Sequence, residues 1–299
     1  MALAAMRNWF GKGFSLAPDQ RGGGVLAVAA SVAAPDPPAG VLPRWSQARL
    51  SIADNLWGEG YQCPGGELEL LRLARPLGLS GATTVLLLAA GGGGAACSLT
   101  AKTGAWVNAF EADPDLTDAA GTLVARSNLG RRVEMESWDP AEPVFKKHHF
   151  HHGLALEPLE GARPEPVLAG LRMALKPGAH LVMTELTADS PLDPADPEVA
   201  TWAAITRREP DSVPSEVAIS RILGRLGFDV RAAEDISERH AHEAMTSWRA
   251  AARSMRGVAL PRPLLEAYER EAELWTRRLR LVRSGRLRMV RWHAVAGGF

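Results

Sequence analysis

The chain has 299 residues, 46% of them hydrophobic and 23% charged, with 34 basic side chains against 34 acidic ones. That is enough chain and apolar content for one large domain with a full core. The balanced charge argues against a nucleic-acid partner, which would call for a basic excess. The two cysteines, Cys63 and Cys97, cannot build a disulfide framework and point to a reducing, cytoplasmic setting, and no stretch reaches the ~18 apolar residues of a membrane span.

Residues 1–43 are rich in Gly, Pro and Ala without a sustained period and read as a flexible arm. Its longest apolar piece, 25–34, is short and bounded by glycines and "PDPP". Trp9 and Phe10, beside one Arg and one Lys, leave a weak amphipathic anchor as the alternative to a frayed tail. Residues 44–80 read as a helical lid segment. Leu50, Ile52, Ala53, Leu56 and Trp57 fall at roughly helical spacing, "GEGYQCPGG" breaks the helix, and a second helix over 67–77 carries Leu68, Leu71 and Ala74 at three-residue spacing.

From 81 to 299 strands and helices alternate. The run 83–89 is continuously apolar and of strand length, as expected of a strand buried on both faces. A helix over about 95–103 leads to a strand over 106–111. "DPDLTDAAGTLVARSNLG" is helical with an acidic start, and short strands follow at 133–138 and 153–156. The helix in "PVLAGLRMALKPG" stops at Lys176-Pro177-Gly178 and turns into a strand over 180–186. A polar, proline-rich loop fills 187–214, then come a helix (215–226), a strand (228–233), a helical insertion at about 238–283 and a last strand over about 286–296. This order specifies an α/β fold with a doubly wound, mostly parallel sheet of seven strands. The helices before the last strand let it return antiparallel.

Chemistry concentrates first at "LLLAAGGGGAAC" (86–97). Backbone that must approach a ligand closely needs glycine for its dihedrals and its lack of bulk. Gly91 and Gly93 give the spaced pair, and Ala89 stands where a first glycine would. Glu111 ends the next strand 18 residues after Gly93, close to the ~20 expected for an acid that binds ribose hydroxyls. A merely close-packed turn is the alternative; loop and acid together point to a nucleoside-type cofactor.

"TTVLLLAAGGGG", "AWVNAFEADPDLTDAA" and "LRMALKPGAHLVMTEL" together resemble the class I S-adenosylmethionine-dependent methyltransferases, in their small-molecule and phosphobase-like branch. Leu175-Lys176-Pro177-Gly178 matches the turn before one of their strands. "LWGEGYQCPGG" resembles a segment that precedes their glycine loop, and "LGRLGFDVRAAEDIS" with "GRLRMVRWHAV" fits their last strands. The resemblance covers about residues 50–299. It implies a Rossmann-like domain over 81–299, S-adenosylmethionine as cofactor, and a small-molecule or lipid-like methyl acceptor. Gly91, Gly93 and Glu111 would seat the cofactor. Asp139 falls where the family places an acid for the adenine amine and Trp138 where it places an apolar wall; a helix cap and a packing tryptophan are the alternatives. Tyr61, with Trp57, either closes over the cofactor or a cationic substrate or belongs to the core.

Three positions depart from the family pattern: Leu87 replaces an acid, Ala89 a glycine, and Phe150-His151 a Phe-Asp. A lost carboxylate at a cationic amine removes ~1.5–3 kcal/mol, roughly a ten- to hundred-fold loss of affinity. These departures motivate a second function, a catalytically inactive methyltransferase-like protein acting as a binding or assembly subunit, as a homo- or hetero-oligomer.

The remaining clusters carry weaker expectations. His149 and His151 in "KKHHFHH" share a strand face, but no cysteine or carboxylate at ligand spacing accompanies them, so no metal is assigned. Glu185 ends a strand, as a ligand contact or a buried ion-pair partner. Arg277, Arg278, Arg280 and Arg283 either salt a solvated face with Glu269, Glu271 and Glu273 or contact a membrane surface peripherally. Methyl transfer is driven chiefly by positioning, and no catalytic side chain is assigned.

Overall fold

Residues 44–255 and 260–298 are described in the computed structural model; the arm read over 1–43 lies outside them. Their seven strands are β1 (Thr84–Leu88), β2 (Trp106–Glu111), β3 (Val133–Ser137), β4 (Phe150–Leu156), β5 (Leu175–Thr187), β6 (Phe228–Asp235) and β7 (Arg288–Ala296). They form one sheet in the order β3-β2-β1-β4-β5-β7-β6. The first five run parallel, and β7 inserts antiparallel to both β5 and β6. The chain reverses its direction of travel across the sheet between β1 and β4. An open α/β sheet leaves its crevice at such a point, outside the carboxyl ends of the strands.

The helices are α1 (Gln47–Trp57), α2 (Gly66–Ala74), α3 (Gly94–Thr103), α4 (Pro114–Arg126), α5 (Pro164–Ala174), α6 (Pro197–Thr206), α7 (Glu216–Arg225), α8 (Ser237–Ser254) and α9 (Arg262–Arg283). Side-chain caps fix several starts: Asp113 accepts from the amides of Asp115 and Leu116, and Ser215 from that of Ala218. Each such cap is worth about 1 kcal/mol. Strand β1 explains the two-sided core. Val85 and Leu87 point into a cluster with α1, α2, α3, α8 and α9, whereas Leu86 and Leu88 point into one with α5, α7 and β7. Helices α1, α8 and α9 pack on one another as a cap, joined by Trp57 and Trp275 at 4.8 Å between ring centres. No helix among the described residues is long and apolar enough to cross a membrane.

Three local expectations are corrected. Helix α2 forms, but its buried face is Leu70, Leu73 and Ala74, and Leu68 is 77% exposed. The phase is set by Glu69, which pairs with Arg239 of α8 at 3.1 Å and with Arg72 at 2.5 Å and so turns that side inward. The stretch 187–214 is not all loop: it holds α6, capped by Asp196 and anchored by the fully packed Trp202. Lys176-Pro177-Gly178 does not precede its strand but bulges from within β5, whose pairing jumps from Phe150↔Leu175 to His152↔His180.

Candidate active site

An open cleft lies between the carboxyl ends of β1, β2 and β4 and the helical cap. Its floor is the turn after β1. Ala89 and Gly91 both take left-handed backbone there, at φ +56° and +62°, and the amide of Ala90 donates to the Phe110 carbonyl at 3.1 Å. Gly91 faces the cleft, and a Cβ on it would run into Gln62. Gly93 instead starts α3, where a Cβ would stand 3.0 Å from the Cα of Ala120. Its smallness serves helix packing and leaves it off the cleft wall.

Glu111 ties the turn to β2. Its side chain is buried, with Oε2 accepting from the Gly91 amide at 2.7 Å and Oε1 from Ala112 and Asp113 at 2.8 and 3.0 Å. Burial lifts its carboxyl above the usual range, against the pull of those three donors. Leu87 is fully buried among Val85, Leu154 and Val182. The polar group at the turn comes from elsewhere: Gln62 Oε1 accepts from the Gly92 amide at 2.8 Å.

The lid reaches the turn because residues 58–62 are built to lie on it. The Gly60 amide donates to Asp54 Oδ1 at 2.8 Å, and the Gly60 carbonyl accepts from Gly94 at 3.1 Å. Tyr61 lines the cleft with its ring, and its hydroxyl donates to Ser98 Oγ at 2.7 Å; desolvation pushes this phenol up. Trp138 forms the wall opposite, packed on Phe145, and its indole Nε1 has no partner among the described residues. Asp139 is exposed and accepts from the Ala141 amide at 2.8 Å; Trp138 and Pro140 on either side line the cleft and Asp139 does not. The structure therefore brings together Gly91, Glu111, Trp138 and Tyr61, sets Gly93 behind them and leaves Asp139 outside.

The other flagged groups lie elsewhere, except Arg278 and Glu271, which line the cleft. His151 contacts Thr84 and Lys176, and His149 packs on Phe150, at the amino end of β4 and away from the cleft. Among the described residues no three metal-binding side chains converge. Glu185 is wholly buried, accepts from Leu159 and Leu186 amides, and faces Arg208 at 3.5 Å. Desolvation pushes its carboxyl up to about 7. The α9 arginines are paired: Arg277 with Glu273 and Glu198, Arg280 with Glu198, and Arg278 with Glu157.

Several cleft residues escaped the sequence reading. Glu157 follows β4 directly, with a left-handed φ of +55°, and its carboxylate holds Arg278 at 2.8 Å. Arg278 also lies over the Trp275 ring at 5.0 Å. Arg49 pairs with Glu271, which accepts from Trp275 Nε1 at 3.0 Å, and Arg44 pairs with Glu160. "Glu-Pro" at the end of the strand next to the crossover was the available signal, since ligand contacts gather there.

No family model matches the sequence, and no curated protein matches it. The solved structures do match. Phosphoethanolamine N-methyltransferase 2 of Haemonchus contortus, solved with S-adenosyl-L-methionine, superposes with a TM-score of 0.74 at 17% identity, over 83% of this chain and 57% of that one. This chain thus spans little more than half of that protein. A putative sarcosine dimethylglycine methyltransferase from Galdieria sulphuraria gives 0.64 at 14% identity, over 77% and 85% of the two chains. The [4+2]-cyclase SpnF gives 0.59 at 15% identity, over 78% and 81%. The fold is that of the class I S-adenosylmethionine-dependent methyltransferases.

Proposed function

We propose that the chain transfers a methyl group from S-adenosylmethionine to a small molecule. One observation carries the reading: the β1 turn, the β2 carboxylate and an aromatic wall meet at the crossover of the sheet. Glu111, already held by the Gly91 amide, would receive the ribose hydroxyls, and Gly91 lets backbone approach the ligand. Trp138 would stack on the base. Gln62 supplies at the turn the polar contact that Leu87 lacks. Bound there, the cofactor supplies an electrophilic methyl group; the protein's work is to hold donor and acceptor in line, which suits a cleft without an exposed nucleophile. Cys63 fits that picture, because desolvation pushes its thiol up to about 12.

A second reading keeps the fold and drops the turnover. Leu87 and Ala89 favour it, and SpnF, described as a cyclase, is an instance of this fold under another activity. Calorimetric titration with S-adenosylhomocysteine separates the cases at the first step. We expect a micromolar Kd for the parent chain, weakened at least tenfold in Glu111→Ala and in Gln62→Ala. Silence at millimolar ligand, with no thermal shift, overturns the cofactor assignment. Binding without methyl transfer to any of a panel of small alcohols, phenols and amines supports the inactive subunit.

A further inference from the structure

A second, smaller chamber shares Cys63, Leu156 and Glu157 with the cleft. It has apolar walls in Leu73, Ile236 and Met289. Two of its carboxylates are paired: Glu69 holds Arg239 at 3.1 Å, and Glu157 holds Arg278 of the neighbouring cleft at 2.8 Å. Glu243, on the same wall, is a further acid. On the walls of both cavities, the guanidinium groups of Arg44, Arg49, Arg239 and Arg278 are each engaged by a carboxylate. Arg278 Nε, on the cleft wall, is buried without a hydrogen-bond partner among the described residues.

In the lining of this second chamber one side-chain nitrogen is unsatisfied among the described residues. His240, on α8, is 9% exposed, and its Nε2 has no hydrogen-bond partner among the described residues. A buried imidazole nitrogen left without a partner costs stability, and a donor from a ligand in the chamber would satisfy it. Its ring packs against Trp275 at 5.8 Å, so it is held beside the boundary between chamber and cleft. Burial, and the nearby Arg278 charge, lower the basicity of the imidazole and keep it neutral, so that Nε2 can offer its lone pair to an O–H or N–H donor.

We propose that this chamber takes the methyl acceptor, a small, uncharged, mainly apolar molecule with one O–H or N–H group, and that His240 Nε2 receives its proton. The proposal rests on the methyl-transfer reading above. The acceptor heteroatom forms its bond to the methyl carbon as the carbon–sulfur bond breaks, and that electron pair stays on sulfur. The heteroatom's proton passes to His240, giving imidazolium, and nothing is oxidised or reduced. Neutral imidazole suits this role, because positively charged sulfonium gains nothing from a second cation beside it until the proton has moved.

The test uses the full chain with 4-fluorophenol and 4-fluoroaniline, followed by fluorine NMR, alongside S-adenosylhomocysteine calorimetry on every variant. At least one probe should bind the parent chain, and His240→Phe, which fills the chamber, should weaken that binding at least tenfold. His240→Asn should keep its S-adenosylhomocysteine Kd within threefold of the parent yet lose 100-fold or more in transfer to the bound probe. Phosphoethanolamine should not displace the probe. The proposal falls if neither probe binds, if phosphoethanolamine competes, if His240→Phe binds as the parent does, or if His240→Asn turns over normally. Unchanged S-adenosylhomocysteine affinity shows that a variant is folded. If that ligand is silent while a probe binds in a His240-dependent way, the methyl-transfer reading fails, the proton transfer falls with it, and the chamber stands as a small-molecule site.

Discussion

Ala89 keeps a glycine's backbone without being glycine. At φ +56° its Cβ crowds the following carbonyl, a strain of roughly 1–2 kcal/mol, partly offset by the smaller entropy lost when alanine rather than glycine is ordered. We therefore expect Ala89→Gly to raise stability by up to about 1 kcal/mol, read as a higher urea midpoint at unchanged slope. A lower midpoint would show that the alanine methyl is packed to advantage. The neighbouring Gly91 has no such freedom to change, because its Cβ would displace Gln62 from the turn. At this scale the cleft is fixed by backbone donors, and its buried acid Glu111 is positioned before any ligand arrives.

Among the elements, the row of imidazoles across β4, β5 and β7 makes stability depend on pH. His152 meets His180 edge to face at 5.7 Å between ring centres, and His180 Nδ1 meets His293 Nε2 at 3.0 Å. Burial, with charge on His180 and His151, pushes His152 down to about 4, and His293 is lowered as well. The unfolded chain binds the proton near 6.5 while the folded one resists it. The stability involved is thus full above pH 6.5 and is lost as pH falls toward 4. Glu185, raised to about 7, acts with the opposite sign: its folded form holds a proton that the unfolded form releases, so it costs stability as pH rises from about 4.5 to 7. The difference between variants isolates the histidine. His152→Leu should flatten the fall in stability between pH 6.5 and 4, by an amount of order 1–2 kcal/mol after allowing for its partial exposure. A parallel shift of the whole curve would contradict this.

Across the whole molecule, cap and sheet are fastened at Gly60. A methyl there would stand 2.5 Å from the Gly94 nitrogen and 2.8 Å from the Gly92 oxygen, at φ +75°. Both neighbours are backbone of the cleft floor and cannot swing away. Gly60→Ala should therefore destabilise by about 2–4 kcal/mol, and its S-adenosylhomocysteine affinity should fall with it; equal urea midpoints for the two chains would show that the lid is not seated as described. That junction also marks where sequence reading stopped. The strands of the parallel core were legible because two-sided burial leaves long apolar runs such as 85–88, and the cap of α4 because Asp113-Pro114 announces it. The face of α2 was not legible, since an ion pair of Glu69 with a residue 170 positions away overrode the apolar spacing. Helix α6 was hidden by the prolines around it, although Asp196-Pro197 repeats the cap of α4. In the site, Glu111 and Gly91 announced themselves by spacing, whereas Glu157, Gln62 and His240 meet only through tertiary packing, which no local pattern encodes.

The position of β7 bears on how the chain is made. It is the last of the seven strands in chain order, yet it lies inside the sheet, and β6 pairs with no other strand. During synthesis β6 and the open side of β5 must wait, with unpaired amides and carbonyls, until residues 288–296 have left the ribosome. Such exposed edges are templates for association with other chains, and pairings of long sequence separation form slowly. The step that completes the sheet is therefore also the one most open to misassembly, and shielding the nascent β5 and β6 edges is what a chaperone would contribute to its folding.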